Sequence, residues 1–502
     1  MEIPFKKDPV EFEQGLLFPP NIFDLLPNDH ECFVYGSLFE LLDTSKVEET
    51  YSVLGQNAYH PRLVVGILIY AYTQGVFSSR QIEKKCGEDL GFMYIARLHC
   101  PNFRVLSDFR KDHYEFFKEC FMRTVMLAKE AGMVSLGHVS LDGAKFAADT
   151  SKHKAMSYGR LKAVEKELAG EIESLLAKAQ KCDEEEDEEY HDKTGYEIPE
   201  ELKVKEKRQA RIKAAKEALE KRERELHPSR KIEDKKQISF ADMEARGMGR
   251  SNNFHYAYNG QISVDEDNQI IVGQHLSLNA NDKQEVSAGL EEIRETIGEL
   301  PSRMSLDNGY MSGANLSEMA GTEIDAYIAT GREDKKDRRP LEDCDRKLKK
   351  PDFTYDADKD IFVCPASHTL RCKSVSEDGK KVYRAPREAC ADCGYRNRCC
   401  KSKKGEPRTI TTDKYEPLRQ EMIEKMERQS SKDVYKKRKV IVEPVFGQIK
   451  NRGFRRFALR GFEKTSGEFS LVCAVHNFKK IVTAVQRGDV CLNDLKLAIT
   501  TT

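Results

Sequence analysis

The stretch "HVSLDGAKF", residues 138–146, has the pattern of a β-strand with one buried face. Val139 and Leu141 alternate with Ser140 and Asp142, and a period of two is typical of a half-buried strand. A glycine follows the aspartate directly. The sequence therefore predicts a strand that ends at Asp142.

Segments further along the chain extend this pattern into a sheet. We predict a hairpin turning near Asp267, an amphipathic helix capped by Asn281 or Asp282, a strand ending at Asp307, and one more strand. The segments are "YNGQISVDEDNQIIVGQHLSL" (258–278), "NDKQEVSAGLEEIRETI" (281–297), "SRMSLDNGY" (302–310) and "DAYIAT" (325–330). Their order predicts an α/β chain with a mixed sheet flanked by helices.

The chain before the first strand has helical patterns up to about residue 135. The stretch "YHPRLVVGILIYAYTQG" (59–75) has Pro61 near a helix start and Gly75 near its end. The short helices predicted after it resemble a helix-turn-helix, which would offer Arg104 and Arg110 to DNA. A small helical bundle with ordinary surface charges fits the same residues equally well.

Two inserts interrupt the predicted core. From Tyr158 to Leu226 the chain is rich in lysine, glutamate and alanine, with the acidic run "DEEEDEE" (183–189) and Pro199 near its middle. Two long helices packed as an antiparallel hairpin fit this composition best. The hairpin is either a partner surface or a plain spacer.

The second insert is rich in cysteine. It contains "FVCPASHTLRC" (362–372) and "CADCGYRNRCC" (390–400). Four thiolates can hold zinc, and this spacing predicts such a site or, alternatively, a set of reduced cysteines in a basic insert. The candidate ligands are Cys364, Cys390, Cys393 and Cys399, with Cys372, Cys400 and His368 in reserve.

Charge is balanced overall and segregated locally. The chain has 83 lysines and arginines against 84 acids, a net charge of −1, yet residues 432–460 hold ten bases against Asp433 and Glu443. A basic block of this kind suits a phosphate partner. No secretory signal is recognised, and the longest apolar run, "LVVGILIYAY" (63–72), is too short to span a bilayer. We expect a cytoplasmic protein without a membrane partner.

Three carboxylates are candidate ligands for a divalent cation. Each also has a purely structural interpretation. Asp307 in "DNG" is typical of a turn, and Asp142 is typical of a strand end. Glu443, which precedes Pro444, is typical of the first turn of a helix. Brought to one point, the three would repel one another unless a cation lay between them. Oxygen ligands suit Mg²⁺ or Mn²⁺, and such ions support attack on a phosphodiester.

Basic residues around Glu443 are candidate DNA contacts. Glu443, Phe446 and Lys450 are spaced i, i+3 and i+7, roughly one helical face, so Lys450 is expected near a phosphate at the metal; a solvated lysine is the alternative. In "NRGFRRFALRG" (451–461) arginines surround aromatic residues, which suits backbone contact. The aromatic residues there are more typical of a core. The arginines expected to contact DNA are Arg452, Arg455 and Arg456.

The chain resembles bacterial insertion-sequence transposases of the DDE class over nearly its whole length. Residues 59–86 resemble the helical N-terminal domain of that family, while "SLDGAKF" (140–146) and "LDNGYMSG" (306–313) match its two aspartate motifs. The stretch "YKKRKVIVEPVFGQIK" (435–450) matches a signature in which Tyr, Arg, Glu and Lys recur along the last helix.

The resemblance implies an RNase H-like core and specific roles. Asp142, Asp307 and Glu443 would be catalytic and bind the metal. The signature implies DNA-contacting roles for Tyr435, Arg438 and Lys450, although the common spacing falls on Lys439 and not Arg438. Several relatives place a tryptophan against a flipped base, and this chain has none. Another aromatic residue must replace it, or flipping is not used.

The resemblance also implies a domain order. The expected parts are a helical N-terminal DNA-binding domain (1–135), a first core segment (136–157), a charged helical-hairpin insert (158–240), a second core segment (241–345), a cysteine-rich insert with a possible zinc site (346–405), and a last core segment with the Glu-bearing helix (406–502).

The expected activity is transposition of an insertion sequence. The enzyme would cut the 3′ ends of the element with Mg²⁺ or Mn²⁺ and transfer them into target DNA. Its partners would be double-stranded terminal inverted repeats and target DNA, bound by a homodimer at the bacterial nucleoid. The alternatives are a catalytically inactive, transposase-derived DNA-binding protein and a stand-alone nuclease of the same fold.

Overall fold

The computed structural model describes residues 21–52, 58–150, 155–189, 200–250, 253–331, 339–343, 345–376, 379–400, 402 and 406–495. The chain divides into two compact units. One consists of Met1–His113 with Phe478–Thr502, and the other of Tyr114–Asn477.

The first unit is built of short helices around one long apolar helix. Its helices are α1 (Glu31–Phe39), α2 (Ser45–Glu48), α3 (Pro61–Thr73), α4 (Ser79–Glu88), α5 (Leu90–Ile95) and α6 (Phe103–Asp112). Helix α3 begins at Pro61 and stops before Gly75, whose φ of +73° suits a glycine, as predicted. The apolar run of α3 is buried. Among the described residues, no helix is both long and apolar enough to cross a membrane.

The second unit contains a mixed sheet. In chain order its first elements are α7 (Phe116–Glu130), β1 (Val139–Ala147), β2 (Ala155–Ser157), α8 (Tyr158–Glu189), α9 (Glu200–Leu226), β3 (Gln237–Ser239), β4 (Arg246–Arg250), β5 (Asn253–Asp265), β6 (Ile271–Ser277), α10 (Val286–Ile297), β7 (Arg303–Leu306), α11 (Gly313–Ala320) and β8 (Asp325–Ile328).

The strand order in this sheet is β6-β5-β1-β7-β8, and β4 also pairs with β5. Strand β5 is antiparallel to both β1 and β6, whereas β1, β7 and β8 run parallel. The connection from β7 to β8 passes through α11, as parallel neighbours require. The predicted mixed sheet with helices around it is confirmed.

Strand β1 is longer than predicted. It was expected to end at Asp142, but it continues to Ala147 because β5 pairs with it along its whole length, from Val139↔Asp265 to Ala147↔Ala257. Its partner on the other edge, β7, pairs only from Val139 to Leu141. Asp142 therefore lies inside β1, at the point where β7 ends.

Helices α8 and α9 form the predicted antiparallel hairpin. Lys216 pairs with Glu165 at 2.6 Å and Lys205 with Glu171 at 3.2 Å. A later residue of α8 therefore contacts an earlier residue of α9, as antiparallel helices require. Leucines and isoleucines of both helices share a small core of their own. At the base of the hairpin, β2 pairs with β3.

The cysteine-rich insert is an antiparallel sheet with two short helices. Its elements are β9 (Thr354–Asp356), β10 (Ile361–Val363), β11 (Thr369–Val375), β12 (Lys381–Arg384), α12 (Arg387–Ala391), α13 (Arg396–Cys399) and β13 (Thr409–Thr412). The strands pair in the order β9-β10-β11-β12-β13. Phe362, Leu370 and Tyr383 are fully buried between this sheet and Cys390 and Cys399.

The last part of the chain is helical. It contains α14 (Glu416–Glu427), α15 (Gln429–Lys436), α16 (Arg438–Ile441), α17 (Glu443–Asn451) and α18 (Phe462–Arg487). The Tyr-Arg-Glu-Lys stretch was expected on one helix and instead spans three short ones. Pro444 falls in the first turn of α17, where its missing N–H costs no hydrogen bond.

Candidate active site

Two aspartates follow paired positions of neighbouring parallel strands. Leu141 of β1 pairs with Leu306, the last residue of β7. Asp142 follows Leu141 within β1, and Asp307 follows Leu306 directly after β7. The register therefore brings both carboxylates to one edge of the sheet. Asp307 also stabilises the turn that follows β7, because its Oδ1 accepts a hydrogen bond of 2.6 Å from the Gly309 N–H.

Arg438 joins the first aspartate to the glutamate. Its Nη2 lies 2.7 Å from Asp142 Oδ2, and its Nη1 lies 3.3 Å from Glu443 Oε1. The Arg438 side chain is only 8% exposed, whereas Lys439 is exposed. Arg438 and not Lys439 therefore contacts the acids, although its spacing from Glu443 differs from the common one. Glu443 occupies the first turn of α17, as its neighbour Pro444 predicted.

Burial sets the electrostatics of this site. Burial raises the pKa of Asp142 to about 6, and the charges of Asp307 and Asp282 act in the same direction against the opposing effect of Arg438. Burial also raises the pKa of Tyr435, on which the charges of Arg438, Asp307, Asp142 and Glu443 all act. Tyr435 therefore belongs to the same electrostatic neighbourhood as the three acids.

A fourth carboxylate, Asp282, adjoins the site. The sequence suggested it as a helix cap, but α10 begins after Glu285, and Asp282 Oδ1 instead accepts hydrogen bonds from Asn259 Nδ2 (2.8 Å) and Gln261 Nε2 (2.7 Å). A Cβ at Gly309 would lie 2.9 Å from Asp307 Oδ1 and 3.1 Å from Asp282 Oδ2. Only the long-range pairing of β1, β5 and β7 reveals this neighbour.

The basic residues after Glu443 have different surroundings. Lys450 Nζ lies 5.4 Å from the centre of the Phe146 ring and 5.9 Å from that of Phe446, and burial lowers the pKa of Lys450. Arg455 donates to the Lys450 carbonyl oxygen at 3.3 Å. Phe454 and Phe457 are buried, in agreement with the core assignment.

Two other arginines of this segment are engaged with the protein itself. Arg456 donates to the carbonyl oxygens of Ala148 and Thr150, and Arg452 Nη2 lies 3.5 Å from His476 Nδ1. These contacts anchor the segment to the end of β1 and to α18.

Comparison with known families bears on both ends of the chain. Residues 363–482 match a family model described as "Transposase DDE domain", and residues 20–112 match one described as "Transposase domain (DUF772)". The two matches indicate an insertion-sequence transposase of the DDE class. No curated protein and no solved structure matches the chain. Glu443 lies inside the first matched range, whereas Asp142 and Asp307 lie outside both.

In the N-terminal unit, Arg110 is not presented to a ligand. It is buried, and its guanidinium donates to Tyr72 Oη (2.8 Å), the Phe77 carbonyl oxygen (3.1 Å) and Ser79 Oγ (2.5 Å). We therefore withdraw Arg110 from the candidate DNA contacts, because its guanidinium is committed to the fold. Arg104 is exposed at the first turn of α6.

Cysteines of the second insert gather around one small cavity. Cys364, Cys390, Cys393, Cys399 and Cys400 line it together with His368, and all five cysteines are free thiols. Burial raises the pKa of Cys399 to about 12, and the neighbouring Cys400 acts in the same direction. Thiolates are ligands that zinc prefers, so the cysteines that line this cavity are chemically suitable donors.

Within the part of the chain that the structure describes, no three Asp, Glu, His or Cys side chains are arranged as a metal site. Asp142, Asp307 and Glu443 are called the acid site below. The cation between two of its carboxylates is the guanidinium of Arg438. The donor set of Asp142, Asp307 and Glu443 suits Mg²⁺, which prefers carboxylate oxygens. The acids thus fit a divalent ion chemically, with Arg438 supplying positive charge in its place.

Proposed function

We propose that the transposase cuts the 3′ ends of its mobile element by hydrolysis and joins them to target DNA. Asp142, Asp307 and Glu443 would hold Mg²⁺ or Mn²⁺. The metal would supply Lewis-acid stabilisation of the attacking and leaving oxygens. The observation that carries this proposal is the strand register that makes Asp142 and Asp307 neighbours, with Arg438 linking Asp142 to Glu443.

The protein's own groups would position the DNA strand. Arg438 would stabilise the acids until metal and phosphate arrive, and then pair with a phosphate oxygen, for which a guanidinium has suitable donors. Lys450 is close enough to the site for the Asp142 charge to act on its pKa. Further contacts to the DNA backbone are proposed for Tyr435, Lys439, Arg452, Arg455, Arg456 and Arg104. Contacts to phosphates position the DNA and do not depend on its base sequence.

We further propose that the cysteine-rich insert binds zinc through Cys364, Cys390, Cys393 and Cys399. Their shared cavity supports this proposal. Zinc would favour the thiolate form, which burial alone disfavours at Cys399. The proposed setting is a homodimer on double-stranded inverted repeats and target DNA at the nucleoid of a bacterial cytoplasm.

The test is nicking of a labelled duplex that carries the DNA end next to the gene, in Mg²⁺, with binding measured in parallel. Asp142→Asn, Asp307→Asn and Glu443→Gln each remove a charged ligand while keeping the shape of the side chain. Each should abolish nicking but retain DNA binding, and pairs of them should be non-additive, because a site lacking one ligand is already inactive.

Nicking by any one of the three variants at close to the unmutated rate would remove that residue from the proposed triad. Binding without nicking by the unmutated protein would instead favour an inactive DNA-binding protein. Cutting without strand joining would favour a stand-alone nuclease.

A further inference from the structure

The edge of β1 beyond Asp142 has no strand beside it within the described residues. Pairing with β7 ends at Leu141, and at the far end the Ala147 N–H donates to the Arg455 carbonyl oxygen at 3.1 Å. Residues 143–146 therefore form a gap between the acid pair, Asp142 and Asp307, and the basic segment 451–461. A DNA strand that contacts both would pass along this gap.

Lys145 lies in the gap. Its side chain is 35% exposed, and its Nζ is 3.8 Å from Asp282 Oδ1. The register pairs Lys145 with Asn259 and Gly143 with Gln261, so these four residues share one face of the sheet. Phe146, over whose ring Lys450 lies, belongs to the opposite face. Two lysines thus flank the open edge of β1, one from each face.

Asn259 has an unpaired oxygen in this place. The residue is fully buried, and its Nδ2 donates to Asp282 Oδ1 (2.8 Å) and to the Asn279 carbonyl oxygen (3.1 Å). Among the described residues its Oδ1 has no hydrogen-bond partner, and it lies 3.0 Å from where a Cβ of Gly143 would be. A buried acceptor without a donor is costly, and the ammonium of its cross-strand partner Lys145 can supply one.

We propose that Lys145 contacts a phosphate of the DNA strand at the acid site and that Asp282, held by Asn259 and Gln261, positions this lysine. The proposal rests on the proposed function, since it assumes that DNA occupies the acid site. At 3.8 Å the pair is longer than a charge-assisted hydrogen bond, so the ammonium keeps donors for a phosphate oxygen. Asp282 and Asn259 then restrict where the ammonium stands.

The phosphate contact is tested by binding of a random-sequence duplex at several salt concentrations, in EDTA. Lys145→Ala should reduce the slope of log affinity against log salt by about one unit, and Lys145→Arg should restore it. The matched control is Lys129→Ala. Lys129 lies in the same unit, is 39% exposed and pairs with Glu299 at 2.7 Å, so the slope should not change. An unchanged slope for Lys145→Ala overturns the phosphate contact.

The positioning role is tested by nicking of the end duplex. Asp282→Asn should lower kcat about tenfold with little change in KM, because the lysine remains but is no longer held. Combined with Lys145→Ala it should add nothing further. An unaltered kcat, or an equal loss in the Lys145→Ala background, overturns this role. If the unmutated protein nicks no DNA, the proposed function fails, while the salt slope still decides the Lys145 contact.

Discussion

Arg438 is the residue on which the charge of the acid site depends. Its guanidinium, almost wholly buried, lies between Asp142 and Glu443. Removing one partner from a buried ion pair is more damaging than never having had the pair, because the remaining charge is left in a poorly solvated place. The proposed divalent ion would supply positive charge to the same carboxylates as Arg438. Their effects on Asp142 should therefore be visible in how the reaction depends on pH.

The first prediction is that nicking rises with pH through about 6, where Asp142 loses its proton. The carboxylate must be ionised to hold metal, so protonation below that pH should slow the reaction. More Mg²⁺ should move the midpoint to lower pH because it favours the charged form. Arg438→Ala should move it to higher pH because it removes the cation that favours that form.

These midpoints are read from nicking rates at a series of pH values and two Mg²⁺ concentrations. Lys436→Ala is the control, since Lys436 is exposed and pairs with Asp433 at 3.0 Å, and it should leave the midpoint where it is. If the midpoint pH changes neither with the Mg²⁺ concentration nor in Arg438→Ala, another group controls the pH dependence.

At the scale of elements, β1 shows what sequence patterns can and cannot reveal. Alternation at Val139 and Leu141 predicted the strand, and the glycine after Asp142 suggested its end. The strand instead continues because β5 pairs with it, and β5 is more than a hundred residues away in the chain. Local patterns report burial and turns, whereas register depends on hydrogen bonds between distant segments.

The same limit explains the residues that sequence patterns missed. Asp282 precedes a helix, so its local pattern suggested a cap, yet its partners are two amides on β5. Arg110 is basic and near a helix end, which suggested a DNA contact, but its partners lie some thirty residues earlier in the chain. Glu443 was placed correctly because Pro444, its direct neighbour, determines the helix start.

The second prediction concerns Gly143, which lets β5 approach Asp282. A Cβ there would overlap the Gln261 amide and lie 2.9 Å from Asp282 Oδ1. Gly143→Ala should therefore lower the free energy of unfolding by about 1–3 kcal/mol, the usual cost of overpacking. Gly170→Ala is the control, since nothing lies within 4 Å of its Cβ position in α8, and helix propensity favours alanine. Urea unfolding measures both; equal stability of the two variants would contradict the crowding at Gly143.

The third prediction concerns the cysteine-rich insert. Purified protein should contain about one zinc per chain, and Cys390→Ser combined with Cys393→Ser should lose it, because both residues are proposed ligands. Cys100→Ser, at an exposed cysteine of the other unit, should retain the metal. Elemental analysis of the three proteins is the measurement. If the unmutated protein contains no zinc, the zinc proposal is wrong and the apolar core alone stabilises the insert.

At the scale of the whole molecule, charge is balanced overall and segregated locally. A net charge of −1 gives no general attraction to nucleic acid, so the proposed binding of DNA would depend on basic segments such as 432–460. Hydrogen bonds between Ala147 and residues 455–457 hold that segment against the end of β1. One chain therefore presents an acid site beside a basic segment.

The last prediction follows from the need to hold two element ends. Joining both ends to one target requires two acid sites close together, and each chain contributes Asp142, Asp307 and Glu443 only once. The simplest closed arrangement is a twofold symmetric dimer, with one end of DNA per chain. Mass photometry of the Glu443→Gln variant with end duplex in Mg²⁺ should show complexes of two chains and two duplexes, stable because no strand is cut. A random-sequence duplex of equal length is the control and should give fewer such complexes. One chain per duplex at every ratio would mean that a single chain acts alone on each end.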